Sequence, residues 1–123
     1  MVQSINTKVD LVIEATSHLG LPEYGKIMIG DKGFEFYNSR NAHKFIQIPW
    51  KEVDYVIASV IFRGKWIPRY AIQTKQNGKF IFSSKNPKKV LRVIRNYVDP
   101  NKMVHSLGFI DVVKRGIKSR FKS

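Results

Sequence analysis

Arg69-Tyr-Ala-Ile-Gln-Thr74, Gln76-Asn-Gly78, Lys79-Phe-Ile-Phe82 and Asn86-Pro-Lys-Lys-Val-Leu-Arg-Val-Ile94 follow one another with almost no gap, and their reading decides the fold. The first and third pieces are short, aromatic and β-branched, as strands are. Asn77-Gly78 between them is the signal of a tight hairpin, because both residues tolerate positive φ. After Asn86 the period changes. Pro87 suits the first helical position, with Asn86 as the expected N-cap. Val90, Leu91, Ile94, Tyr97 and Val98 then recur at helical spacing, with Lys88, Lys89, Arg92 and Arg95 off that stripe. Asp99-Pro100-Asn101 ends the helix.

Upstream the chain also reads as strands. Val9, Leu11 and Ile13 alternate with Asp10, Val12 and Glu14, the pattern of a half-buried strand. Residues 24–29 and 34–37 flank Gly30-Asp31-Lys32-Gly33, a second hairpin. Residues 44–48 alternate up to Pro49, and residues 53–62 form the strongest strand. Arg63-Gly64-Lys65 begins a turn that Trp66-Ile67-Pro68 is expected to continue. The expectation is a mainly β fold with C-terminal α structure: about seven antiparallel strands in a bent sheet or barrel, capped by a helix over residues 1–99. Residues 100–123 are expected to add a basic amphipathic C-terminal helix, with Leu107, Ile110, Ile117 and Phe121 on one face.

Composition narrows the function. The chain has 123 residues, enough for one domain with a core, and 43% of them are hydrophobic. It has no cysteine, which excludes disulfides, thiolate metal sites and cysteine nucleophiles. The first twenty residues lack the basic-then-apolar pattern of a secretory signal, and the longest apolar run, Tyr55 to Phe62, is too short to span a bilayer. A cytoplasmic location is expected. With 22 basic and 9 acidic residues the net charge is +13, beyond what solubility asks of a small domain. Residues 85–123 hold eleven of the cations against Asp99 and Asp111 alone. Such a balance points to an anionic partner: an acidic protein surface, lipid headgroups or nucleic acid.

Catalytic motifs fail on inspection. Gly20 to Lys26 has phosphate-loop spacing, but Ile27 stands where Ser or Thr would ligate Mg²⁺, and the following residues alternate like a strand. His18, His43 and His105 are isolated, and no G-x-S-x-G elbow is present. Asp10 with Glu14, and Glu52 with Asp54, are the close carboxylate pairs; both fit solvent-facing strand positions. The chain is therefore expected to be no enzyme and to carry no cofactor or metal.

Binding features are better defined. Arg63, Lys65, Trp66 and Arg69 cluster at one hairpin, three cations around an indole that either folds back on the sheet or anchors a partner. Lys114, Arg115, Lys118, Arg120 and Lys122 interleave with Ile117 and Phe121, a pattern suited to an anionic membrane or a membrane-protein surface. A nucleic-acid-binding regulator is the alternative, supported by charge alone, since no helix-turn-helix or zinc finger accompanies it.

Two resemblances add to this. Ile46-Gln-Ile48-Pro-Trp50-Lys-Glu52-Val53-Asp-Tyr-Val56, followed by strands and a helix, resembles the pleckstrin-homology-like and GRAM-like domains. Nearly the whole chain, including Asn6 to Asp10, Tyr24 to Asp31, Ile48 to Ser59, Gly64 to Arg69 and Lys85 to Arg92, resembles the ManO-type family associated with mannose-family phosphotransferase system (PTS) transporters of Firmicutes. That resemblance implies a regulatory or accessory protein peripheral to the inner face of the cell membrane. Its implied partners are the membrane-embedded IIC and IID subunits. It carries over no catalytic residue.

Overall fold

The computed structural model describes residues 3–41, 43–61 and 66–106. Eight strands form one sheet: β1 Val9–Ser17, β2 Glu23–Gly30, β3 Gly33–Asn38, β4 Phe45–Pro49, β5 Val53–Ile61, β6 Trp66–Thr74, β7 Lys79–Ser84 and β8 Met103–Ser106. Helix α1, Pro87–Ile94, lies between β7 and β8, and single 3₁₀ turns occupy Trp50–Glu52 and Pro100–Lys102. The strand order is β4-β3-β2-β1-β7-β6-β5-β8. Thus β1–β4 make one meander and β5–β7 another, joined where β1 pairs with β7. The protein is mainly β, with an open mixed sheet.

Alternation fixes the inner face. Ile27 and Ile29, Phe34 and Phe36, Tyr70 and Ile72, and Phe82 are buried together with Ile48 and Val56. The Phe82 ring lies 5.0 Å from Phe34 and 5.7 Å from Phe36 at tilted angles that suit aromatic quadrupoles. Helix α1 closes this face with Val90 and Ile94, and Val98 just beyond it is also buried. The helix, expected to run to Asp99, stops at Ile94; beyond it Tyr97 stacks on Trp50 at 5.2 Å, and the Trp50 indole donates to the Gly30 carbonyl at 2.9 Å.

The outer face of β3 carries a buried carboxylate. Glu35 accepts hydrogen bonds from the Ser4 and Tyr37 hydroxyls, the Ile5 amide, Asn6 Nδ2 and Gln47 Nε2. These donors bring residues 4–8 across the sheet as a strap. Asn6 Oδ1 accepts from the amides of Lys32 and Gly33, and Asp31 accepts from the amides of Thr7 and Lys8, each at 2.9 Å. Gly33 is required beneath the strap, because a Cβ there would stand 2.4 Å from the Ile48 carbonyl oxygen and 2.7 Å from Ile5 Cδ1.

Three expectations are corrected. The sheet is mixed rather than wholly antiparallel, because Met103–Ser106, expected to open a second helix, pairs parallel with Val56–Ser59 as β8. The exposed edge of β5 offers a ladder that this alternating tetrapeptide completes; the rest of the expected helix, residues 107–123, lies outside the described residues. Strand β6 begins at Trp66, and Pro68 is tolerated inside it because the register with β5 shifts between Ser59 and Ile61. Asn86 is left-handed, at φ 45°, and its side chain makes no cap; its carbonyl accepts from the Lys89 and Val90 amides instead.

Burial pushes the Glu35 pKa up, but its hydrogen bonds outweigh this and hold it below its ordinary 4.5. The Thr7 hydroxyl and the strap amides bring Asp31 down to about 2. Both groups have lower pKa values folded than unfolded, so the stability they contribute is present above the unfolded values and is lost as pH falls. Acidification from 4.5 toward 2 should release the strap, with amide exchange at residues 5–8 accelerating before that of β2 and β3. At neutral pH, Glu35→Ala should lower the urea-unfolding free energy by about 2–3 kcal/mol, since it strands several buried donors. Exchange that accelerates uniformly would contradict the strap's separate attachment.

Candidate functional site

The rim between β5, β8 and α1 is open. Val56, Ala58, Ile67, Leu91, Met103 and Val104 contribute to a mainly apolar groove of about 300 Å³. Its geometry follows from the ladders. Val56 and Ala58 face inward on β5, and parallel pairing sets Met103 beside Val56 and His105 beside Ala58. Leu91, one residue past buried Val90 on α1, forms the opposite wall.

A cationic ridge borders this groove. Val90 and Ile94 turn inward, and the same helical period turns Lys88, Lys89, Arg92 and Arg95 to solvent. No acidic residue lies in the first turn of α1, and none of the four cations makes an ion pair among the described residues. The ion pairs that are described lie elsewhere, between Lys85 and Glu14 at 2.8 Å and between Lys44 and Glu23 at 3.5 Å. Apolar groove, with His105 at its edge, and cationic ridge together suit an amphipathic, anionic surface. Among the described residues no group of three or more His, Asp or Glu side chains is placed to hold a metal ion.

Of the residues singled out from sequence, Trp66 pairs with Ile61 at the start of β6 and is 53% exposed. Arg69 is exposed on the side of β6 opposite buried Tyr70. It stands near His18, whose pKa is lowered first by burial and then by that guanidinium; His18 Nε2 lies 2.8 Å from the Ser83 hydroxyl. Trp66 and Arg69 thus share a strand but do not form one cluster with the groove, which opens on the inner face. Arg63, Lys65, Leu107, Ile110, Lys114, Arg115, Ile117, Lys118, Arg120, Phe121 and Lys122 lie outside the described residues. Strand β8 leads toward residue 107 alongside Ser59, the residue that also faces Arg69 across β5 and β6. The groove and the α1 ridge escaped the sequence reading, although the off-stripe lysines and arginines of residues 88–95 were its visible signal.

A family model for a domain of unknown function, DUF956, matches residues 1–117. The chain belongs to this family. No curated protein matches it in sequence. Among solved structures it is similar to the C-terminal domain of an unknown protein from Leishmania infantum, with a TM-score of 0.64 and 12% identity. That match covers 73% of this chain and 83% of the other. At such identity the likeness is one of fold. No helix among the described residues is long and apolar enough to cross a membrane.

The groove makes its own prediction. A short anionic amphiphile, added below its micelle concentration, should shift the amide resonances of Val56, Ala58, Leu91 and Met103 first, and those of β2 and β3 little. Shifts centred elsewhere would show that the rim is not the apolar binding face.

Proposed function

We propose that the chain is a non-catalytic accessory subunit that docks on the anionic cytoplasmic side of a membrane-embedded partner. The observation that carries this is the apolar groove edged by the cationic ridge Lys88, Lys89, Arg92 and Arg95. Residues 107–123, five cations with Asp111 as their one acid, continue from the strand that walls the groove. Charge draws the two surfaces together at long range, and the groove supplies the contact that binds apolar side chains. Exposed Trp66 is a second anchor on the same half of the sheet.

The partner is proposed from the ManO-type resemblance: the IIC and IID subunits of a mannose-family PTS transporter, with the chain modulating sugar uptake. Modulation then requires different affinities for the transporter's conformations, since equal affinity shifts no equilibrium. Two consecutive meanders followed by a helix support reading the fold as pleckstrin-homology-like or GRAM-like, a scaffold on which loops and edges, not a catalytic pocket, carry binding.

The test is affinity recovery from detergent-solubilised membranes of a native host, using the tagged full-length chain. IIC and IID should be recovered. Trp66→Ala should weaken recovery, and so should reversal of Lys88 and Arg92 to Glu. Truncation after Ser106 should weaken it while leaving β8 in place. Recovery of nucleic acid without membrane subunits, with a steep salt dependence, would replace this reading with the nucleic-acid alternative.

A further inference from the structure

The connection between β1 and β2 exposes more apolar surface than any solvated turn needs. Leu21 is 86% exposed and Leu19 is 60% exposed, on either side of Gly20. Gly20 has φ +87°, and nothing lies within 4 Å of where its Cβ would be, so the tip projects into open space. Tyr24, 71% exposed, begins the outer face of β2 beside it.

A basic loop stands against this tip. Pro22, Tyr24, Arg40 and Lys44 line one cleft of about 460 Å³, while Leu19, His43, Lys44 and Phe45 line another of about 240 Å³. The β3–β4 connection therefore sets Arg40 in one cleft with Pro22 and Tyr24, and Lys44 in the other with Leu19. Glu23 is the acid among them, and it is engaged by Lys44. Asn38 Oδ1 fixes the start of the basic loop by accepting from the amides of Arg40 and Asn41.

The shape selects among partners. Leu21 lines neither cleft and Leu19 stands only at the edge of a small one, so the tip needs a medium that yields around it. A bilayer interface does so, and it rewards the same trio of features: apolar side chains at the tip, an amphipathic tyrosine at their base, and cations at headgroup height. The net charge of +13 favours approach to an anionic leaflet over a neutral one. We infer that the β1–β2 tip is a membrane-contact element that inserts Leu19 and Leu21 into an anionic bilayer interface, with Arg40 on the headgroup phosphates.

This surface goes beyond the docking site proposed above. Strand β1 runs antiparallel to β7, β7 to β6 and β6 to β5, so the β1–β2 tip emerges at the end of the sheet opposite the last residues of β5 and the first of β6. With lipid at the tip, the β5–β6 end points away from the bilayer, and a partner bound there must rise above the membrane plane.

The experiment is co-sedimentation of the full-length chain with vesicles of phosphatidylglycerol and phosphatidylcholine, beside vesicles of phosphatidylcholine alone. Binding should require the anionic lipid. Leu19→Ser with Leu21→Ser should lower the partition coefficient about tenfold or more, with an unchanged urea midpoint because both sites are exposed. Leu21→Trp should show a blue shift on adding anionic vesicles and quenching by brominated acyl chains. Release by inorganic phosphate alone would reassign the site to a free anion and overturn the insertion. Partition unaffected by the paired serine substitutions would also overturn it, as would a Leu21→Trp emission that vesicles leave unmoved. These vesicles contain no protein partner, so failure here leaves recovery of transporter subunits as a separate question.

Discussion

Everything in this molecule hangs on a three-rung seam. Ala15, Thr16 and Ser17 pair with Ser84, Ser83 and Phe82, and these pairs join one meander to the other. The seam is short, so its side chains must bind as well as its backbone. Phe82 does this from the last rung: its ring contacts Phe34 and Phe36 of the first meander and, at 6.4 Å, Tyr70 of the second. Loss of a fully buried phenylalanine costs about 3–5 kcal/mol, a large share of a small domain's stability. Helix α1 starts three residues after β7 and seals the same junction with Val90 and Ile94. Its position is therefore a consequence of the seam and brings its cationic side to the rim.

How much of this could be read from sequence follows from the range of each interaction. Period-two alternation and the Asn77-Gly78 turn are local, so seven strands and the helix were legible. Strand β8 was not. Met103-Val-His-Ser fits either period, and the edge of β5 that decides between them lies more than forty residues upstream. The role of Asn86 is ambiguous in sequence for a related reason: the residue suits both a side-chain cap and a left-handed turn, and the tight return from β7 into α1 selects the second. Glu35 alternates with Phe34 and Phe36 and so reads as outward. That it is also buried depends on residues 4–6 crossing above it, which no periodicity records.

The candidate site was legible in charge but not in place. The excess of cations beyond residue 84 was plain, and it suggested a basic tail. Within it, residues 85–106 carry six cations against Asp99 alone, so the described helix and edge strand are themselves strongly basic. Four of the six lie on one helix side because the other side must bury Val90 and Ile94. Trp66 and Arg69, grouped by sequence at a turn, belong instead to a strand whose residues alternate in direction. Arg69 consequently serves the neighbourhood of His18, and the groove draws its lining from β5, β8 and α1.

The two apolar exposures differ in a way that bears on their roles. The groove is concave, lies at the rim of a packed core, and is walled by the edge strand β8. Such a rim holds its shape only while β8 stays paired, so anything that stabilises the groove also stabilises the edge of the sheet; binding there and order at the C-terminal edge are thermodynamically linked. The β1–β2 tip has no such linkage. Leu19 and Leu21 contribute little to the core and their exposure costs the fold nothing that burial elsewhere must offset. A site coupled to the fold can report occupancy to the rest of the sheet, whereas an uncoupled tip can only tether. Occupancy of the groove is thus linked to the pairing of β5 with β8 in a way that contact at the tip is not.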